Sequence, residues 1–179
     1  MREGLGLKGE WTIEIRRNGE LIRTLHYKNQ LTAIYQGSVL NQLKGVSAVD
    51  LSIKYIAIGT DGTTATANDT QLYAEVFRST PTSKTVMDGY MQTIWVLTPE
   101  QGNVRIREIG VFAGDATLSA NSGSLLSRVV VDIEKTQSIE IHRNMEGYSL
   151  LCGTGAWVFC DHQPFWETGT SKVWQYICD

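Results

Sequence analysis

The chain has 179 residues, 42% of them hydrophobic and 20% charged, with 16 basic against 19 acidic side chains and a formal charge of −3. These proportions fit one globular domain with a substantial core, or one domain plus a small appendage, and suggest neither a disordered chain nor a membrane protein. No long run of one charge sign occurs, so the surface gives no electrostatic reason to hold nucleic acid or anionic lipid.

The first residues, Met1-Arg2-Glu3-Gly4-Leu5-Gly6-Leu7, lack the apolar segment of a secretory signal, and no later run approaches the ~20 apolar residues of a spanning helix. Synthesis in a cytoplasm and no membrane span are the expectations. Gly4, Gly6 and Gly9 have the spacing of a dinucleotide-binding glycine loop. That loop works by following a strand and opening a helix; here a strand follows, which makes a flexible leader the simpler reading. Trp11 to Arg16 alternates apolar and polar side chains, Asn18-Gly19 is a favoured tight-turn pair, and Leu21 to Tyr27 returns, so residues 11–27 read as a β-hairpin.

From Leu31 to Leu43 the apolar positions Leu31, Ala33, Ile34, Tyr35, Val39, Leu40 and Leu43 recur at helical spacing, and Gly45 ends the run, which predicts a helix over about 31–44 that covers the core. Residues 51–58 read as a strand that stops at Gly59. A polar stretch follows with Thr60, Thr63, Thr64, Thr66, Asn68, Asp69 and Thr70, whose short side chains hydrogen-bond to nearby backbone and fix a loop without a core beneath it. Beyond it, Glu75 and Arg78 lie three apart among Leu72, Tyr73, Val76 and Phe77, where one helical turn would join the two charges. Thr85 to Val96 reads as a strand broken at Asp88-Gly89, and Val104 to Phe112 as a central strand. A second small-residue loop spans Ala113 to Ser124. Leu125 to Ile133, with three consecutive valines, and Ser138 to Arg143 complete the set. About seven strands at this spacing, with a helix between the early ones, predict a mainly β fold: an antiparallel β-sandwich with one helix packed on it over residues 1–146.

The order of several short words resembles the amino-terminal region of phage tail-fibre and related tail or baseplate proteins. They are Ala57-Ile58-Gly59-Thr60, Asp69-Thr70, Leu72-x-x-Glu75-Val76-x-Arg78, Arg107-Glu108-Ile109-Gly110-Val111-Phe112, Asn18-Gly19 with Leu21-Ile22-x-Thr24, and Leu125-Leu126-Ser127-Arg128 with Lys135-Thr136. The resemblance runs from about Trp11 to Arg143. It implies a non-enzymatic virion protein, a fibre or baseplate adaptor assembled in the host bacterial cytoplasm, whose partners are copies of itself, commonly as a trimer, and neighbouring tail proteins. A long fibre would continue for hundreds of residues, so the length favours a short adaptor, a tip or a truncated form.

Residues 147–179 fall outside the resemblance and form a small appendage holding Cys152, Cys160 and Cys178 with Trp157, Trp166, Trp174 and Tyr176. Those aromatics suit either the appendage's own core or a patch that binds a protein or a host-surface glycan. Cys152, Cys160, His162 and Cys178 have the chemistry of zinc ligands without the paired Cys-x-x-Cys knuckle; a disulfide joining Cys160 to Cys178 or Cys152, and inert thiols, are the other readings. A Cys160 or Cys152 nucleophile with His162 or His142 lacks an orienting acid. Asp61, Thr63, Asn68 and Asp69 offer oxygens to calcium but miss the EF-hand alternation, which favours a structured turn, and Asn68-Asp69-Thr70 reads as an Asx-type turn rather than a glycosylation acceptor. No cofactor is expected.

Overall fold

A computed structural model describes the main chain at residues 6–46, 50–87 and 90–151, and side chains at 9–46, 50–87 and 90–142. Among these residues the chain forms ten strands and one helix. β1 (Gly6–Arg17) and β2 (Glu20–Lys28) make the hairpin, with Asn18 at φ 50° and Gly19 at φ 82°, the positive values a two-residue turn needs. β3 (Gln30–Leu31), α1 (Ala33–Leu43), β4 (Tyr55–Gly59), β5 (Glu75–Ser79), β6 (Ser83–Met87), β7 (Tyr90–Leu97), β8 (Arg105–Ala113), β9 (Ser124–Glu134) and β10 (Glu140–Leu151) follow. They pair antiparallel into two five-stranded sheets, the first in the order β2-β1-β10-β7-β6 and the second β3-β9-β8-β4-β5. The chain passes between sheets at the β2–β3 and β5–β6 links, so each edge of the sandwich is closed by a short connection.

The core lies between the sheets and is dictated by alternation. Trp11, Ile13, Trp95, Leu97 and Ile141 of the first sheet meet Ile56, Ile58, Ile109, Val111, Val129, Val131 and Ile133 of the second, all buried. Each such side chain contributes roughly 1.5–3 kcal/mol when fully removed from water. Trp95, fully buried, donates its Nε1–H to Ser79 Oγ at 2.6 Å, so its polar atom is satisfied.

The β-sandwich with one helix is as expected, but several boundaries differ. The helix begins at Ala33, because Thr32 ends β3 and caps α1: its Oγ1 accepts the Tyr35 N–H at 3.2 Å and donates to Leu125 O at 2.6 Å. Leu31 therefore belongs to a strand, and only Tyr35 and Ser38 of α1 are buried; Leu40 and Leu43 are 61% and 70% exposed. The predicted 85–96 strand is instead the hairpin β6–β7, with Met87 opposite Tyr90; the suspected break at Asp88-Gly89 lies outside the described residues. The strand read over 51–58 starts only at Tyr55, while the one read over 138–143 continues as β10 to Leu151, across the boundary drawn at 146. Gly6 to Gly9 lie within β1, where no helix follows them, so the glycine spacing has no dinucleotide-binding context.

Candidate functional site

The outer face of the second sheet carries charge where a sandwich usually meets water. Successive residues of β8 alternate between faces, so Ile109 and Val111 enter the core and Glu108, Gly110 and Phe112 point outward. Those outward groups are nonetheless buried, because the loops at 60–74 and 114–123 fold over them and seal a second small cluster of Ala57, Leu72, Phe112 and Leu125.

Arg128 of β9, with no exposed surface, is the hub of the first loop. Its Nε donates to Glu108 Oε2 at 2.8 Å and its Nη1 to Asp69 Oδ2 at 3.1 Å, while Asp61 Oδ1 lies 3.8 Å from Nη2. The guanidinium sits 4.7 Å from the centre of the Tyr73 ring. Glu108, equally buried, then collects the main chain of the loop's end: Ala74 N–H on Oε1 at 2.7 Å and Tyr73 N–H on Oε2 at 3.1 Å. Asp69 closes the loop on itself through the Thr66 N–H at 3.0 Å and the Thr66 hydroxyl at 2.7 Å. Burial alone would raise the Asp69 carboxyl, but the Thr66 bonds and the Arg128 charge outweigh it and hold the group below the ordinary carboxylate range. Gly59 is required here: a Cβ at that position would collide with the Glu108 carboxylate and with Ala74 O.

Arg78 anchors both loops. It grips Glu75 through two parallel bonds, Nε to Oε1 at 2.5 Å and Nη2 to Oε2 at 2.8 Å, and its Nη1 donates to Thr117 O at 2.8 Å and Ser122 Oγ at 3.0 Å. Its guanidinium lies 4.5 Å from the centre of the Phe112 ring. Glu75 Oε2 accepts the Asn121 N–H at 2.8 Å, and the Asn121 carboxamide brackets Leu72, taking its N–H and donating to its carbonyl, each at 3.0 Å. The expected Glu75–Arg78 pair thus exists, but the helical turn does not. Both residues are on β5, where a bulge between Glu75 and Phe77 adds the residue that brings positions three apart to one side of a strand.

A third buried cation serves a turn. Lys135, 1% exposed, donates to Pro99 O, Asn103 Oδ1 and Thr136 O at 3.3, 3.1 and 3.1 Å, and burial pushes its pKa down against the opposing pull of Glu100 and Glu140.

Asp61 and Asp69, offered above as calcium ligands, turn toward Arg128 instead, and Asp61 Oδ1 also accepts the Thr63 N–H at 2.7 Å. Among the described residues no group of three or more His, Cys, Asp and Glu is placed to hold a metal ion. His142 faces Glu140 at 3.1 Å. The partner-binding aromatics Trp157, Trp166, Trp174 and Tyr176, and Cys152, Cys160, His162 and Cys178 with their zinc and disulfide readings, lie outside the described residues. Sequence reasoning missed the burial of Arg128 and Glu108. The signal was there as a lone cation in Leu-Leu-Ser-Arg-Val-Val-Val and a lone acid in Arg-Glu-Ile-Gly-Val-Phe, single charges set in apolar strand runs.

The chain matches no family model, no curated protein and no solved structure. Among the described residues no helix is long and apolar enough to cross a membrane.

Proposed function

We propose that this protein is a structural component of a phage tail or tail-like particle, an adaptor module that works by self-assembly and docking in the virion and turns over no substrate. One observation carries the reading. Glu75, Arg78, Glu108 and Arg128, which supply the charged letters of the tail-fibre-like words, are committed inside the fold to holding two surface loops in one shape. Buried charge pairs tied to loop backbone add little net stability over an apolar core, but they specify a single arrangement, which suits a surface that must fit neighbours. Catalysis would instead call for ionisable groups converging on an open cleft.

The mass of the purified protein by light scattering, with and without reductant, tests this. A closed homo-oligomer, a trimer for the resemblance above, is the expected result. A monomer at every concentration in both conditions overturns self-assembly, and hydrolysis of peptidoglycan or polysaccharide by the pure protein overturns the non-enzymatic reading. The double change Trp166→Ala, Trp174→Ala is expected to leave the main body folded and assembled; loss of host-cell binding in that variant would move the function to receptor recognition.

A further inference from the structure

The second sheet has an open strand edge where β3 leaves it. Thr32 N–H bonds Leu126 O, and Gln30 pairs with Arg128, so the ladder bonds fall on alternate residues and the next would join Lys28 to Val130. Instead the Asn29 N–H bonds Gly9 O at 3.2 Å and Lys28 pairs with Glu10, drawing the chain into the first sheet. The amide and carbonyl of Val130 therefore face a side that β3 has left. Among the described residues no strand lies beside β9 from Val129 to Glu134.

This edge opens into a groove of about 380 Å³, lined by Tyr27 and Asn29 of the β2–β3 link, Thr64 and Ala65 of the threonine loop, and Val129 and Val130 of β9. Two unsatisfied polar groups meet there. Both Nδ2 and Oδ1 of Asn29 are sealed from solvent with no hydrogen-bond partner among the described residues, and so is Nη2 of Arg128, another lining residue. Groups in this condition are rare in folded proteins because each forfeits its hydration without compensation.

We propose that the groove receives one extended polypeptide segment of a different, neighbouring protein, which adds as a strand to the edge of β9, bonding the main chain of Val130 and presenting a peptide group to the Asn29 carboxamide. A peptide group carries one N–H and one C=O, the complement of a carboxamide's oxygen and NH₂ and of Val130's open pair. The groove is lined from two sides, so a single strand enters it, whereas the edge of a second copy's sheet would meet Tyr27 and Thr64 first. The inference rests on the docking reading for its partner and supplies that reading with a mode of capture.

Selection of a random peptide library against the whole purified chain tests it. Recovered peptides are expected to protect the Val130 N–H from hydrogen exchange and to lose affinity when N-methylated at alternate backbone nitrogens. Asn29→Leu keeps the side chain's shape and removes only its polar atoms, so it should weaken these peptides by roughly tenfold or more while leaving the thermal midpoint unchanged or higher. Val130→Pro, which deletes the edge N–H and leaves the β8 side intact, should do the same; if it does not fold, the exchange protection of Val130 decides. Failure to recover any peptide that distinguishes the natural chain from Asn29→Leu overturns the proposal, as does capture of a soluble glycan in place of peptide. Failure here leaves an oligomeric chain an assembly module, whereas a monomer that still captures peptides removes self-assembly and keeps the groove.

Discussion

The two faces of the second sheet are buried by opposite chemistries. Its inner face stacks Ile58, Ile109, Val111, Val129 and Val131 against the first sheet, and its outer face buries Glu108, Arg128 and Arg78 beneath two loops. Apolar burial is non-directional and tolerates substitutions of similar volume, whereas a buried ion pair is strongly destabilised when one member is lost. The inner face therefore supplies stability, and the outer face supplies a fixed loop shape.

Breaking the outer face at its hub gives the largest expected effect. Arg128→Leu leaves Glu108 and Asp69 buried without their cation and should cost about 3–5 kcal/mol, read as a lower urea midpoint. Adding Glu108→Leu should recover part of that loss. A single-variant cost below that of a conservative core change would erase the contrast between the faces. Gly59→Ala drives a methyl into the Glu108 carboxylate and Ala74 O, and should cost about 1–3 kcal/mol with faster hydrogen exchange at Tyr73 and Ala74. On the inner face, Ile109→Val should cost only about 0.5–1.5 kcal/mol and leave exchange in the 60–74 loop unchanged.

The smallest effect sharpens the comparison through pH. The Asp69 carboxyl is held below its ordinary value in the folded chain, so the unfolded chain takes up the proton first as pH falls. The contribution of Asp69 is complete above the ordinary Asp pKa of about 3.9 and is lost as pH drops through the folded value. Exchange in the 60–74 loop should rise over that window, and Asp69→Asn should flatten the dependence, while the apolar inner face shows none from this cause.

The strands were legible wherever one face is apolar and the other polar. The hairpin of Trp11 to Tyr27, with its Asn18-Gly19 turn, needed only period-two alternation and local backbone preference. Helix α1 was legible too, although the spacing of its apolar residues did not tell which side would be covered; Leu40 and Leu43 stay exposed because β9 receives only Tyr35 and Ser38. Glu75 and Arg78 were recognised as a pair and assigned the wrong geometry, since a spacing of three fits a helix unless a bulge intervenes, and the bulge depends on pairing with β4.

What the amino-acid order alone determined was the alternation of side chains, the turns and the threonine-rich loop, because each is set by conformational preference over a few neighbouring residues. What only the tertiary structure decided was where Arg128 finds its partners. Glu108 and Asp69 lie 20 and 59 residues away in the chain, and sheet order together with a folded-back loop, neither encoded in local spacing, brings them together. The departure of β3 from the β9 edge belongs to the same class, because it arises where Asn29 bonds Gly9 of the other sheet instead of continuing beside Val130.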